Sequence, residues 1–344
     1  MGEVNQERCL TYKLPRPLSL PRFNPRKDVP AHLFRAGPLT MKQITPFAQA
    51  SGLVLLGSLM ASSAAIWIRF LPEVSPISIG FIRTGGAAII FFPWFWRERG
   101  RLRTSWRDFR YSVLAGVALA LHFATWIASL SYTTVAHSVL FVATHPMFVI
   151  AISLGILRVP VARNQIVGAL VALVGVIFIQ WHAILTTSPA SLEGLALSLS
   201  KGAFGNLLAL IGGFFAAVYL LLGREARKSL GTVLHVEVTY ASAAVVLLLA
   251  TLLLRVPPIP LSPGPWLYLG LLILLPTVGG HTIFNWGLRH LGAPLVSLFG
   301  LLEPVEAALL ALLILGEGIG GYTVIGGVAI IGGLVLAVWR PAEG

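Results

Sequence analysis

Ten stretches of about 20 apolar residues run along this chain, and each is long enough to cross a hydrocarbon layer about 30 Å thick at 1.5 Å per residue. They fall near residues 49–68, 76–96, 111–131, 134–157, 164–182, 203–222, 233–254, 265–286, 293–315 and 321–339. The connections are short, Ser131–Thr134 and Gly316–Gly320 among them, so neighbouring helices are predicted to form antiparallel hairpins with no soluble domain between them. With 56% hydrophobic and only 11% charged residues, and a mean hydropathy of +0.83, the chain belongs among all-α integral membrane proteins.

A lone cysteine, Cys9, excludes an intramolecular disulfide and any thiol cluster for zinc or iron-sulfur, so no cofactor and no metal are expected. The net charge of +12 is carried by short inter-helix segments and an amino-terminal tail rather than by one folded face, which favours a membrane surface over nucleic acid. With the amino terminus inside, 21 of the 25 Lys and Arg fall on the inner side, and only Arg69, Lys201 and Arg255 fall outside. The remaining one, Arg83, lies within a span. Retention of basic residues on the cytoplasmic side therefore predicts that both termini are cytoplasmic, in a cell membrane.

Residues 1–48 read as a basic cytoplasmic tail. The first 40 hold six prolines and seven Lys or Arg against three acids, with no helical period, a composition of disorder. An equal reading starts the protein at Met41, because MKQITPFAQASG before the first span resembles an ordinary short cytoplasmic beginning.

Five spans followed by five more suggest a duplication. An offset of 158 pairs Pro146 with Pro304, Gly168 with Gly326, Gly175 with Gly333 and Trp181 with Trp339 without a gap, and Leu140, Phe141, Leu154, Ile156 and Leu157 also match. The prolines fall inside spans and the glycines stay on one helical face. Because each half has an odd number of spans, the second must enter the membrane from the opposite side, giving two inverted five-helix repeats at 49–182 and 203–340.

The segments LLEPVEAALLALLILGE with TVIGGVAIIGGLVL, and HSVLFVATHPMFVIAISLGIL with IVGALVALVGVIFI, resemble the two repeats of EamA-type transporters of the drug/metabolite transporter superfamily. That resemblance spans residues 49–340 and implies a fold without naming a substrate. It has two departures. Arg158 and Val159 stand where the family has an acidic end to the fourth helix, matching Glu317 in the second half. Glu306 stands where the pattern has an apolar or aromatic residue, as Phe148 does in the first half.

Polar residues inside the spans mark the candidate site. Glu303 lies about 15 Å into the ninth span, near mid-membrane, and His145 is its repeat partner. A charge at that depth costs about 2.5–3.5 kcal/mol on insertion scales, so the carboxylate must face protein or water. Glu303 and Glu306 are three apart and share a helical face, where at least one is expected to be protonated. The functional reading is a cavity carboxylate that binds a cation or carries a proton; the bland one is a hydrogen bond to backbone beside Pro304. Arg83, about 10 Å in from the outer surface, either holds a substrate carboxylate or snorkels outward. His122 and Trp126 share a face of the third span, and Asn285 occupies the equivalent region of the second half. Glu237, near the start of its span, is expected to reach the cytoplasmic interface.

The chain has no HExxH, GxSxG, P-loop or GxGxxG motif, so nothing points to ATP hydrolysis. The expectation is a secondary transporter, not an enzyme, exporting or exchanging small metabolites such as amino acids by alternating access. Its partners are a small-molecule substrate, the lipid bilayer and protons. Glu303, Glu306, His145, Arg83, His122, Trp126 and Asn285 form its candidate substrate and coupling site. The rivals are a membrane enzyme acting on lipid-linked substrates and a non-transporting sensor or scaffold.

Overall fold

The computed structural model describes residues 41–98, 106–133, 135–186, 192–316 and 318–339. The predicted tail up to residue 40, and Glu317, lie outside them. Among the described residues there is no strand. The helices are α1 Met41–Ser62, α2 Ala64–Arg69, α3 Pro76–Glu98, α4 Trp106–Ser129, α5 Val135–Val142, α6 His145–Gly155, α7 Arg163–Thr186, α8 Leu192–Ala226, α9 Thr232–Leu253, α10 Pro265–Leu272, α11 Thr282–His290, α12 Ala293–Phe299, α13 Glu303–Leu315 and α14 Gly321–Val338. A π-helical segment, Ile273–His281, joins α10 to α11, and a 3-10 turn, Gly300–Leu302, joins α12 to α13. Among the described residues nine helical segments are long and apolar enough to cross a membrane, and Arg163–Ile179 is a shorter apolar helix.

Four predicted spans are not continuous α-helices, the first being interrupted at Ser63 between α1 and α2. The fourth breaks between α5 and α6, and the ninth between α12 and α13, immediately before His145-Pro146 and Glu303-Pro304 respectively. Each proline sits in the first turn of a new helix, where its missing N–H would have no partner in any case. The eighth span is widened at Pro276, which cannot donate to the preceding turn and whose ring crowds it. There Thr277 Oγ1 donates to the Leu272 carbonyl five residues back, at 2.8 Å.

The repeat is visible in the packing. α7 and α14 occupy equivalent places in the two halves and cross through four glycines. A Cβ on Gly168 would stand 2.3 Å from the Gly333 carbonyl oxygen, and one on Gly175 would stand 2.5 Å from that of Gly326. The start of α7 thus meets the end of α14, so equivalent helices run antiparallel, as two inverted copies require. No side chain larger than hydrogen fits at these crossings, and the backbones pack in direct contact.

The other principal contacts also pair one half with the other. α1 lies on the π segment and α11, its counterpart α8 lies on α4, and α3 packs on α9. The core therefore runs between the halves, and small residues line it: Ala115, Ala118, Ala209, Ala217 and Ala243 are all buried. The chain also keeps its symmetry where α6 and α13 end. Arg158 and Gly316, 158 residues apart, both adopt the left-handed conformation, with φ of 52° and 69°.

Candidate functional site

A central cavity lies where the two interrupted spans approach each other. Arg83, His122, Trp126, His145 and Glu303 all line it, so five of the seven residues singled out from sequence converge on one space. Glu306 and Asn285 do not line it. Apolar wall is supplied by Ala61, Ala64, Val142, Leu220 and Phe284.

Glu303 and Glu306 fall in the first turn of α13, where the positive end of the helix favours negative charge. The break in the ninth span is therefore what makes a carboxylate tolerable at mid-membrane. Glu303 lines the cavity and makes no hydrogen bond to any described residue. His145 holds the corresponding place at the start of α6. Its Nδ1 donates to the Val142 carbonyl at 3.2 Å, satisfying the last residue of α5, and the Ser297 carbonyl of the other half is a second acceptor beside the ring. The ring lies against the opposite break: a Cβ on Gly300 would be 2.9 Å from His145 Cε1.

Glu306 turns away from the cavity toward α1. Ser58 Oγ lies 2.8 Å from its Oε2 and 2.9 Å from the Phe299 carbonyl, and Ser62 Oγ lies 2.6 Å from the same Oε2 and 2.9 Å from the Ser58 carbonyl. Two hydroxyl protons face four such contacts. The shared helical face expected for the two glutamates thus resolves into separate settings, one open to the cavity and one clasped by serines.

Arg83 does not snorkel, being only 1% exposed. Its Nε donates to Thr277 Oγ1 at 3.0 Å, and its guanidinium lies over the Phe123 ring, 4.1 Å from the centroid. Because the Thr277 hydroxyl proton goes to the Leu272 carbonyl, that oxygen can only accept from Arg83. His122 donates Nδ1–H to the Gly212 carbonyl at 2.9 Å and stacks on Trp126, with centroids 5.8 Å apart.

Asn285 belongs to a buried network beside the cavity. Its Nδ2 donates to the His281 carbonyl at 2.7 Å and to the Tyr219 hydroxyl, while Oδ1 accepts from His235 Nε2 at 3.0 Å. Ser112 Oγ then donates to His235 Nδ1 at 2.8 Å. Arg227, just past the end of α8, donates Nε to the Asn285 carbonyl at 3.1 Å and Nη1 to that of Leu230. Burial, with the Arg289 cation nearby, lowers the Arg227 guanidinium to about 10, so it stays charged at neutral pH. The expectation for Glu237 fails: it is 6% exposed, and its Oε2 has no partner among the described residues.

Among the cavity residues not singled out from sequence are Tyr219, Phe123 and His281. His281 satisfied the criterion that selected His145, an ionisable residue within an apolar span. Tyr219 and Phe123 carried no local signal, since aromatic residues are common in membrane helices.

A profile of the EamA-like transporter family matches residues 49–181 and again residues 203–339. An "uncharacterized transporter" from Archaeoglobus fulgidus is 27% identical over 297 residues, covering 85% of this chain and 98% of that protein. The "uncharacterized transporter YyaM" of Bacillus subtilis is 27% identical over 286 residues, covering 82% of this chain and 86% of its own length. A solved crystal structure aligns with a TM-score of 0.67 at 18% identity, over 84% of this chain and 96% of the other, a likeness of fold.

Proposed function

This chain belongs to the EamA-like transporter family and is a multi-pass membrane transporter, and on that premise we propose that it moves amphipathic metabolites, amino acids or related solutes, through the central cavity by alternating access. The direction proposed is export or exchange across the cell membrane, with both termini in the cytoplasm. The observation that carries the reading is the cavity itself. It is bounded by two interrupted helices from opposite halves and is lined by a buried cation, Arg83, and a carboxylate, Glu303. Rocking one half against the other would expose it to each side in turn.

Proton coupling through Glu303 or Glu306 is the second part of the proposal. Its support is the proton count at Glu306. The two serine hydroxyls satisfy at most two of the four contacts there, and a proton on Glu306 satisfies a third. Such a site holds its proton while the serines enclose it and yields it when α1 and α13 separate.

The test is solute counterflow and pH-dependent uptake in proteoliposomes. Glu306→Gln, which keeps shape and hydrogen bonding but cannot ionise, is expected to flatten the pH profile while counterflow persists. An unchanged profile removes Glu306 from coupling and leaves Glu303 as the group to examine by the same substitution.

A further inference from the structure

Four of the seven buried side-chain atoms that lack a hydrogen-bond partner among the described residues belong to the lining of the central cavity: Arg83 Nη1 and Nη2, Trp126 Nε1 and His281 Nδ1. A folded protein rarely leaves such groups unpaired. A guanidinium whose two Nη groups make no direct bond is the least tolerable of them. Among the described residues Arg83 forms no ion pair, although Glu303 lines the same space.

The unused donors are held in place. Arg83 spends its Nε on Thr277, and its face lies over Phe123, so the two Nη groups form the one free edge of the fork. That anchor depends on the π segment, where Thr277 turns its own proton back to Leu272 and offers only an acceptor. Ring contacts then carry the wall onward: His281 meets Phe123 edge-on with centroids 5.4 Å apart, and Tyr219 lies 6.1 Å from His281.

Tyr219 adds a further donor, shown by following the protons. The His281 carbonyl can only accept, so it fixes which end of the Asn285 amide is NH2. The Asn285 Oδ1 consequently faces His235 and receives its Nε2–H, while Ser112 serves His235 Nδ1. The other Asn285 proton goes to the Tyr219 oxygen. Tyr219 is thereby an acceptor toward Asn285, and its own O–H proton is committed to no described residue.

We propose that Arg83, Tyr219, Trp126 and His281 form a carboxylate subsite, which makes the transported solute a small carboxylic acid with an apolar body lodged against Phe284, Leu220 and Val142. The fork supplies paired N–H donors matched to two carboxylate oxygens, and the hydroxyl and indole N–H take the remaining lone pairs. This rests on the central cavity being the substrate site.

The experiment measures ligand-induced thermal stabilisation of the full chain in detergent. The probes are matched pairs of acid and primary amide: leucine and leucinamide, phenylalanine and phenylalaninamide, 4-methylpentanoate and 3-phenylpropionate with their amides. The amide keeps size and shape but loses the charge. At least one acid is expected to stabilise the protein with its amide tenfold or more weaker. For that acid, Tyr219→Phe is expected to weaken binding about tenfold and Trp126→Phe by a smaller factor, each removing one donor and no charge. Absence of an acid preferred over its amide across the panel overturns the proposal, as does undiminished binding by Tyr219→Phe of unchanged ligand-free melting temperature. Binding is read without transport, so acids that bind but do not cross proteoliposomes would overturn the transport reading and leave the subsite standing.

Discussion

The fourth and ninth spans are the same stretch of chain written twice, and both are cut immediately before a proline-bearing turn, yet the two cuts are used differently. In the first half the break is closed locally, with His145 giving its proton to the Val142 carbonyl and laying its ring on Gly300. In the second half a 3-10 turn leads into Glu303, whose carboxylate takes no partner from the described protein and faces the cavity. One backbone device thus serves cohesion in one copy and leaves a carboxylate unbonded at the cavity in the other. The residue at the start of the new helix decides which. A carboxylate is favoured at the positive end of a helix, whereas a neutral imidazole gains little from it and is free to bond elsewhere.

The largest effect that would test this contrast is on transport. Glu303→Gln is expected to slow solute uptake in proteoliposomes at least tenfold, equivalent to about 1.4 kcal/mol in the rate-limiting barrier, while leaving the melting temperature nearly unchanged. A variant that melts lower but transports normally would make Glu303 a structural residue and erase the distinction. Next, Gly300→Ala places a methyl against the His145 ring, and overpacking of this kind is expected to cost about 2 kcal/mol in thermal or denaturant stability. His145→Leu should cost about 1.5 kcal/mol, because the Val142 carbonyl loses its donor. If it instead abolished transport at full stability, the two breaks would be functional equals. The smallest effect concerns the ends of the same helices. Arg158 holds a left-handed conformation that its counterpart Gly316 adopts without penalty, so Arg158→Gly is expected to raise stability by about 1 kcal/mol.

Much of this was legible in the sequence, and the limits have physical causes. Hydropathy located the spans and the offset of the repeat, because apolar length and glycine register are properties of the chain itself. It missed the interruptions at Ala143–Thr144 and Gly300–Leu302, since a helix that stops and restarts within the hydrocarbon remains apolar throughout. Pro146 and Pro304 marked the right places but not their meaning. Depth and residue type correctly brought Glu303, His145, Arg83, His122 and Trp126 to one region. They could not separate Glu303 from Glu306, because the difference lies in which neighbouring helix supplies Ser58 and Ser62. Tyr219 and the donors aligned through Asn285 required proton directions, which only the assembled network determines.

The meeting of the two breaks also limits how the molecule can move. Four helix ends come together at a depth where an acyl chain offers no hydrogen bond, and the protein meets them itself: His145 bonds the Val142 carbonyl, Ser58 of α1 lies against that of Phe299, and the Glu303 N–H goes to Gly300. Parting the walls sideways to admit a lipid tail would strand those groups against hydrocarbon, whereas hinging toward either aqueous face keeps water or protein beside them. The interruptions that create the chamber therefore also weigh against a sideways opening toward lipid.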